Sequence, residues 1–517
     1  MNPLDARLVP YACVCWSATL LGILAGSRVA FVSAGVVSVL WVSVTWLRRR
    51  SGPVRGVSVA LLLGVLALVG IGLQVRGVET HPLTSSAADR DKVTLVGAPV
   101  EDPVALGSAG SATRGQVRFR MELEEVRTAD GVVRVGGVVN VFASAKGWAH
   151  LLPGQRTTFA GKLDTPRNHD LTVAVVRAEG APLQVDSPSW YQRWAGTVRD
   201  RFVMAAERSL PPDQAGLLPG LVVGDTTALD QSVVDAFKAA GLTHLTAVSG
   251  ANVSIVLGAV LLVSRGVGVG PRVTAVLALS ALVAFVVVVR PSPSVLRAAA
   301  MGSVTILAMV TGRGRQALPA LSGSIVVLLL LFPRLAVDFG FVLSVVATAA
   351  LIVIAPIWSE RLGARGWPQG MAEVVAVSGA AFLVTTPVIA AMAGTVSSVS
   401  IVANILAAPV VAVITIVGGV TALVSVVSIP LAEWGARSVT LPLWWLLTVA
   451  ERSARIPGAV LQVPDGLAGA CLALAVMSTV FGGWALWPAL VRWCRRDVAR
   501  SSRAEHRPRR PAPPRPR

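Results

Sequence analysis

Polar and ionisable side chains at the edges of apolar runs are the groups with which this chain could do chemistry. His244, Ser249 and Asn252 lie at the start of one such run, Arg297 lies within one turn of another, and Asp338 opens a third. Burying such groups in a membrane costs about 2.5 kcal/mol or more unless they are paired or hydrated, so each is a functional-site hypothesis. Together they could line a polar path between helices. Hydrogen bonding between helices is the competing interpretation, because Ser, Asn and His commonly provide it.

Arginine placement and helix geometry extend this hypothesis. Arg290 and Arg297 bracket a Pro-Ser-Pro-Ser segment, where their guanidinium groups could guide phosphates. Arginine at an interface can also simply extend its head group to water. If the run from residue 243 is helical throughout, His244 and Asn252 lie near one face.

Two further candidates accompany backbone signals. Asp225 follows Gly220 and Gly224, a spacing that suits a closely packed helix ending at an acidic residue, so capping or loop ordering competes with a direct role. Asn404 begins the sequence Asn-Ile-Leu-Ala-Ala-Pro within a long apolar run. A backbone broken there would survive at membrane depth only beside protein or a water-filled cavity, which makes Asn404 a candidate for a conduit wall.

No catalytic motif stands out in the sequence. It has no Walker A glycine-lysine loop, so it encodes no ATPase motor of that type. The cysteines lie in or beside apolar runs and lack the spacing of a redox pair, a zinc site or a disulfide framework: Cys13, Cys15, Cys471 and Cys494. We expect no enzymatic activity, no metal and no cofactor.

Composition identifies the elements that must position these candidates. Hydrophobic residues make up 54% of the 517 and charged residues only 14%, which is more apolar surface than a soluble protein can bury. A helix needs about 20 apolar residues to cross a bilayer. The sequence predicts a polytopic α-helical membrane protein with about 10–12 transmembrane helices. The apolar runs are 9–26, 29–47, 57–74, 243–264, 272–289, 294–311, 316–333, 336–357, 371–393, 397–429 and 463–490.

Residues 76–187 have a different character. Short stretches in which apolar and polar residues alternate are bounded by Gly, Pro and Asp, which predicts strands and a small inserted all-β domain of the OB type. Such barrels often bind single strands, but the 13 basic and 13 acidic residues between Arg76 and Asp186 cancel, which disfavours a groove that follows phosphates. Whether this domain touches DNA stays open.

Arg-rich short loops predict the topology, because such loops remain in the cytoplasm. Three arginines at 48–50 send the β domain to the extracytoplasmic face, and the tail 491–517 carries ten arginines against two acidic residues, a net of +8. This Pro-rich tail is expected to be disordered and cytoplasmic. One crossing at 397–429 would give eleven spans and an outside tail. Either that run crosses twice or is partly re-entrant, or the stretch 441–450 adds a crossing.

The chain therefore divides into five predicted parts. An aromatic and arginine-rich stretch that begins at Trp190 predicts an amphipathic helix along the membrane surface. The parts are N-terminal transmembrane helices at 1–75, the β domain at 76–187, amphipathic or interfacial helices at 188–240, a second transmembrane domain at 241–490 and the basic tail at 491–517.

Several motifs in order resemble the ComEC family of competence proteins. A Gly-rich helix ends in Gly-Asp at 224–225, and Gly-Leu-Thr-His-Leu-Thr-Ala-Val-Ser-Gly follows at 241–250. Pro-Ser-Val-Leu-Arg at 293–297, Asp-Phe-Gly-Phe-Val-Leu-Ser at 338–344 and the Asn404 segment continue the family's order. The resemblance covers roughly residues 210–430 and, more loosely, 1–190.

The resemblance implies a membrane channel subunit for DNA uptake that conducts a single strand during natural transformation. It also implies an outer-face DNA receptor and a cytoplasmic ATPase as partners, and leaves homo-oligomerisation open. Asn252 stands where many relatives have a second His, and no His-x-His-x-Asp-His cluster of a metallo-β-lactamase-like nuclease is present. The alternatives are a transporter of another polyanion or small solute, or a membrane scaffold.

Overall fold

A computed structural model describes most of the chain. The described residues are 5–51, 55–106, 115–128, 131–166, 170–246, 248, 250–310 and 316–479. Contacts divide the chain into one unit with residues 1–382 and 397–460 and another with 383–396 and the chain from 461 onward. Three predictions fall outside the described residues: the candidate Ser249, the end of the run 463–490, and the tail 491–517.

Helices form most of the described structure. The N-terminal helices are α1 (Val9–Ala25), α2 (Ser27–Ser51), α3 (Arg55–Glu79) and α4 (Leu83–Asp89). After the β domain follow α6 (Trp190–Ser209), α7 (Pro212–Val223), α8 (Gln231–Ala239), α9 (Gly250–Gly266), α10 (Pro271–Val289), α11 (Pro293–Val310), α12 (Ala317–Leu331), α13 (Phe339–Gly363), α14 (Gln369–Ala393), α15 (Ser400–Val427), α16 (Ile429–Ser438) and α17 (Thr440–Ala454). Strands β9 (Thr395–Ser397) and β10 (Val460–Gln462) pair with each other.

Seven of the described helices are long and apolar enough to cross a membrane: α2, α3, α10, α11, α13, α14 and α15. Shorter apolar helices are α1, α12, the part of α9 from Asn252 to Gly266, and Gly466–Thr479. The predicted class, a polytopic α-helical membrane protein with an inserted all-β domain, is confirmed.

Two predicted runs differ from the structure. The run expected to begin at 243 does so as a 3₁₀ turn at Thr243–Leu245, and helix α9 starts only at Gly250. The break expected between Asn404 and Pro409 is not present, because α15 continues through Pro409 as one helix of 28 residues. Neighbouring helices let membrane helices tolerate an internal proline.

The β domain is a closed five-stranded barrel. Its elements are β1 (Lys92–Pro99), β2 (Val104–Leu106), β3 (Gln116–Thr128), β4 (Gly131–Arg134), β5 (Val138–Ser144), the short α5 (Ala145–Trp148), β6 (Thr157–Asp164), β7 (Thr172–Ala178) and β8 (Gln184–Val185). The order β1-β3-β5-β7-β6 closes through β1–β6 pairing, and only the β5–β7 pair among these is parallel. This is an OB-like arrangement. Trp148 fills the barrel beside Phe119 and Phe159.

A single apolar core joins α6, α7 and α8 to α15, α16 and α17. Helix α6 contributes Phe202 to this core, while Trp190 at its start is exposed. Gly418 of α15 faces α7 so closely that a Cβ would lie 2.5 Å from Cγ2 of Val222. Small residues at such contacts are how membrane helices pack.

Candidate functional site

The segments that carry the sequence motifs meet in the fold. Three hydrogen bonds connect them: Nδ2 of Asn252 donates to the carbonyl of Leu221 at 3.0 Å, Oγ of Ser294 donates to the carbonyl of Val248 at 3.2 Å, and Nε of Arg297 donates to Oγ of Ser344 at 2.7 Å. The ends of α7 and the starts of α9, α11 and α13 are therefore adjacent.

Arg297 is the centre of this convergence. Its side chain is buried, and besides Ser344 it donates to Sδ of Met301 at 3.4 Å. Within the described ranges no carboxylate forms an ion pair with Arg297, and its two hydrogen-bond acceptors are uncharged. A buried cation normally requires a counter-charge.

The start of α9 adds positive potential beside Arg297. A Cβ on Gly250, the first residue of α9, would lie 3.2 Å from Nη2 of Arg297, so a larger residue would press on the guanidinium. The N-terminus of a helix carries partial positive charge and free N–H groups, which favour anions. A buried guanidinium and a helix N-terminus therefore face the same place, and an anion would stabilise both.

Asp338 and Asp225 order backbone. Oδ1 of Asp338 accepts from the N–H of Phe341 at 2.9 Å and caps α13. Oδ1 of Asp225 accepts from the N–H and the hydroxyl of Thr227, at 3.1 and 2.6 Å, in the loop after α7. Burial opposes ionisation of Asp225, but these hydrogen bonds and the Arg199 charge lower its pKa below the ordinary value. These contacts are those of capping and loop ordering.

His244 lies in the 3₁₀ turn before α9. The expected shared helical face of His244 and Asn252 does not exist, because regular α-helix begins only at Gly250. The imidazole is exposed, yet the protein around it lowers its pKa by burial, an effect only partly offset by a hydrogen bond to the backbone of Gly241.

Asn404 lies apart from Arg297. Its Nδ2 donates to the carbonyl of Ser400 at 2.8 Å and to its hydroxyl at 3.2 Å, within the first turns of α15. Ser400 in turn lies against Gly241, which has a φ of +71°. Asn404 is thus connected to the turn that carries His244 and not to the guanidinium of Arg297.

Arg290 belongs to a second charged cluster beside the motif segments. Its Nη1 lies 2.6 Å from Oδ1 of Asp102, a residue of the β barrel. Arg199 of α6 lies 3.7 Å from the same carboxylate and 3.3 Å from Oδ2 of Asp225. Arg199 also donates to the carbonyl of Val223 at 2.9 Å. Two arginines and two aspartates from distant parts of the chain thus form one ionic network.

Sequence reasoning missed two members of this network. Arg199 lies in the stretch that the sequence predicts as an amphipathic helix along the membrane surface, but it is buried. Arg201 of the same helix donates to the carbonyl of Val426 at 2.6 Å. Asp102 is one of thirteen acidic residues in a domain of zero net charge. Only its tertiary position distinguishes it, so no spacing could have revealed it.

Comparisons with known proteins identify the family. The family model "Competence protein" matches residues 221–489, more than half of the chain. "ComE operon protein 3" of Bacillus subtilis (strain 168) is 32% identical over 165 residues, which is 32% of this chain. That match covers only 21% of the relative's length. No solved structure matches the chain. The chain belongs to the ComEC family of competence proteins.

Proposed function

We propose that this chain is a membrane channel subunit for DNA uptake, which conducts a single strand of DNA across the cytoplasmic membrane during natural transformation. Family membership supports a role in competence. The observation that carries the finer proposal is Arg297, a buried guanidinium without a carboxylate partner in the described structure, located where the family's motif segments meet.

The chemistry of a DNA strand explains this arrangement. A strand that passes between helices brings one negative phosphate after another, and arginine binds phosphate through two parallel hydrogen bonds. A fixed carboxylate beside Arg297 would compete with every phosphate. Uncharged partners such as Ser344 and Met301 hold the guanidinium in place and leave its charge available. Conduction requires such contacts to form easily and to break easily.

The proposal assigns the chain no catalysis. We propose that it provides the path, that a cytoplasmic ATPase provides the force and that an outer-face receptor delivers DNA. The sequence contains neither a Walker A loop nor the histidine cluster of a metallo-β-lactamase-like nuclease. We further propose that the β barrel lies outside the cytoplasm, as the arginines at 48–50 indicate.

The test is uptake of labelled DNA into a nuclease-protected compartment. A deletion strain is complemented with wild type, Arg297→Gln or Arg265→Gln. Arg265 is the matched control, because it is an exposed arginine in the last turn of the neighbouring α9. We expect wild type and Arg265→Gln to restore uptake and Arg297→Gln, at equal membrane abundance, to fail.

Two outcomes would reject the channel. If deletion leaves uptake unchanged in a strain that takes up DNA, a transporter of another polyanion or of a small solute becomes the better interpretation. If deletion removes uptake but Arg297→Gln restores it fully, the chain acts in uptake without this path, as a membrane scaffold would.

A further inference from the structure

The ionic network of Arg199, Arg290, Asp102 and Asp225 lies where the β barrel touches the helices. Asp102 stands in the connection between β1 and β2, whereas both arginines and Asp225 come from α6, the end of α10 and the loop after α7. The neighbouring Glu101 turns back into the barrel and pairs with Arg120 of β3 at 2.6 Å. Two adjacent carboxylates thus have separate partners.

The face of the barrel that carries Asp102 is the one that OB barrels use for ligands. In such barrels, oligonucleotides contact the loop between the first two barrel strands and the loop between the last two. Here the first of these loops carries Asp102. Leu171, at the end of the second, packs against a core formed by α1, α2, α3, α12, α13 and the 3₁₀ turn Pro333–Val337. At Asp102 and Leu171, the described parts of both loops therefore contact the helices.

Asp102 satisfies the arginines incompletely. Its Oδ1 lies 2.6 Å from Nη1 of Arg290, but the angle is outside the range of a hydrogen bond. Nε and Nη1 of Arg290 are thus buried without an acceptor in the described part of the chain. Burial raises the pKa of Asp102 despite both arginines, whereas the pKa of Asp225 is lowered. Asp225 is therefore the closer and more readily ionised partner of Arg199, and Asp102 is the less stabilised carboxylate of the network.

Charge and exposure distinguish Asp102 further. The network is neutral with both aspartates, and it would carry a net +1 without Asp102. The side chain of Asp102 is 33% exposed, whereas Arg199 and Arg290 are 9% and 11% exposed. Asp102 is therefore the member that a solvent-borne anion can reach and replace. A phosphodiester carries one negative charge shared by two oxygens, as a carboxylate does, and arginine binds both groups through parallel hydrogen bonds, so a phosphodiester can take the place of Asp102 at the two guanidinium groups.

We propose that Arg199 and Arg290 form a phosphate-binding site for the incoming strand and that Asp102 occupies this site in place of phosphate, so that barrel docking and strand binding exclude each other. The site rests on the proposed function for the identity of its ligand, a single-stranded nucleic acid. Displacement of Asp102 by the strand would release the barrel loop from the helices.

The first test measures binding of a labelled single-stranded oligonucleotide to the full chain in lipid nanodiscs, as a function of salt. Asp102→Asn keeps the size of the side chain and removes its charge, and we expect it to bind about tenfold more tightly, the gain expected of one charge-assisted contact. The slope of log affinity against log salt should steepen by about 0.7, the value for one more phosphate on a single strand. Adding Arg290→Gln to Asp102→Asn should remove the gain.

Glu101→Gln is the matched control. It removes the same charge from the adjacent position, but its partner is Arg120 within the barrel, so binding and salt slope should stay near wild type. Equal tightening by Asp102→Asn and Glu101→Gln would show a general charge effect and overturn the site. So would an unchanged affinity of a folded Asp102→Asn variant.

The second test uses only the wild-type chain, so it does not depend on how the variants fold. Hydrogen exchange of the peptide that spans residues 99–106 should accelerate at saturating oligonucleotide, because the loop is released. Unchanged exchange at saturation would overturn the exclusion of docking by binding.

These readouts separate the site from the transport function. Tighter binding by Asp102→Asn together with no uptake phenotype for the deletion would support the phosphate site and reject the channel. If DNA uptake requires the protein but Asp102→Asn does not change oligonucleotide binding, the channel is supported and the phosphate site is rejected.

Discussion

Arg297 offers a test in which function and stability should separate. Arg297→Met replaces the side chain with a shorter, unbranched apolar one and removes its charge. A charged residue in a membrane helix costs about 2.5–3.5 kcal/mol, which the variant recovers. It loses hydrogen bonds to Ser344 and Met301, and bonds from charged donors are worth about 1.5–3 kcal/mol each, although a thioether is a weak acceptor. The hydroxyl of Ser344 can turn to a carbonyl of its own helix. Stability should therefore stay within about 1 kcal/mol of wild type.

Transport should change far more than stability. Loss of one charge-assisted contact of about 2 kcal/mol at the step where a phosphate passes Arg297 lowers the rate about 30-fold. The assay combines thermal unfolding in detergent, abundance in the membrane fraction and DNA uptake per molecule. Arg297→Lys keeps the charge but not the fork of donors, so its uptake should fall between wild type and Arg297→Met.

Two results would refute this reasoning. If Arg297→Met unfolds with a loss of about 3 kcal/mol or more, Arg297 has the character of a paired buried ion, and its role is structural. If the variant inserts at normal abundance and takes up DNA at the wild-type rate, the guanidinium has no part in strand passage.

Three other predictions follow from the packing, the charges and the topology. Gly418→Ala places a methyl group 2.5 Å from Val222 and should destabilise the protein by about 1–3 kcal/mol in thermal unfolding. Gly419→Ala has open space around its Cβ and should be neutral or stabilising, so equal effects of the two would contradict the α7–α15 contact. The pKa of Asp225 is lowered in the folded state, so its stabilising effect is present above about pH 4, the unfolded value, and is lost as pH falls further. Asp225→Asn should therefore be less stable than wild type at pH 7, and the difference should shrink in acid unfolding curves. In a background without the native cysteines, His150→Cys on the exposed barrel surface should react with an impermeant maleimide in intact cells, and reaction only after lysis would reverse the proposed topology.

Local properties of the sequence predicted most of the elements. The length of an apolar run can be read from the local sequence alone. The first run, predicted at 9–26, therefore matches α1 within one residue. Alternation of polar and apolar residues is equally local, so the barrel strands could be placed, and their number suggested the OB type. The turn before α9 escaped because its polar residues, among them Thr243 and Thr246, were taken as the start of the apolar run. Gly241, at φ +71°, ends one helical segment there, and the chain needs several residues to begin the next.

Tertiary pairing was beyond such reasoning. Arg297 could be singled out because a charge in an apolar run is visible in the sequence. The absence of a carboxylate partner among the described residues could not be predicted, because any of the chain's acidic residues could have reached Arg297. Arg199 and Asp102 are 97 residues apart in numbering and meet only because the barrel folds back onto the helices. The aromatic and arginine-rich pattern of α6 predicted a membrane-surface helix and gave no sign that Arg199 and Arg201 contact other parts of the protein.

The chain enters and leaves the barrel at points that lie close together, which bears on how the domain can be inserted or removed. The chain enters at Lys92, opposite Lys162 of β6, and leaves at Val185, opposite Thr157 of the same strand. Entrance and exit are thus separated by five residues along β6, about 17 Å, and lie on its two sides, about 10 Å apart across the strand. A domain whose ends lie this close can be inserted into a helical protein, exchanged between relatives or excised and replaced by a short linker while the flanking helices keep their positions. The barrel is in this sense an inserted domain, and the helices before and after it in the chain, α3 and α6, are where an excision would be joined.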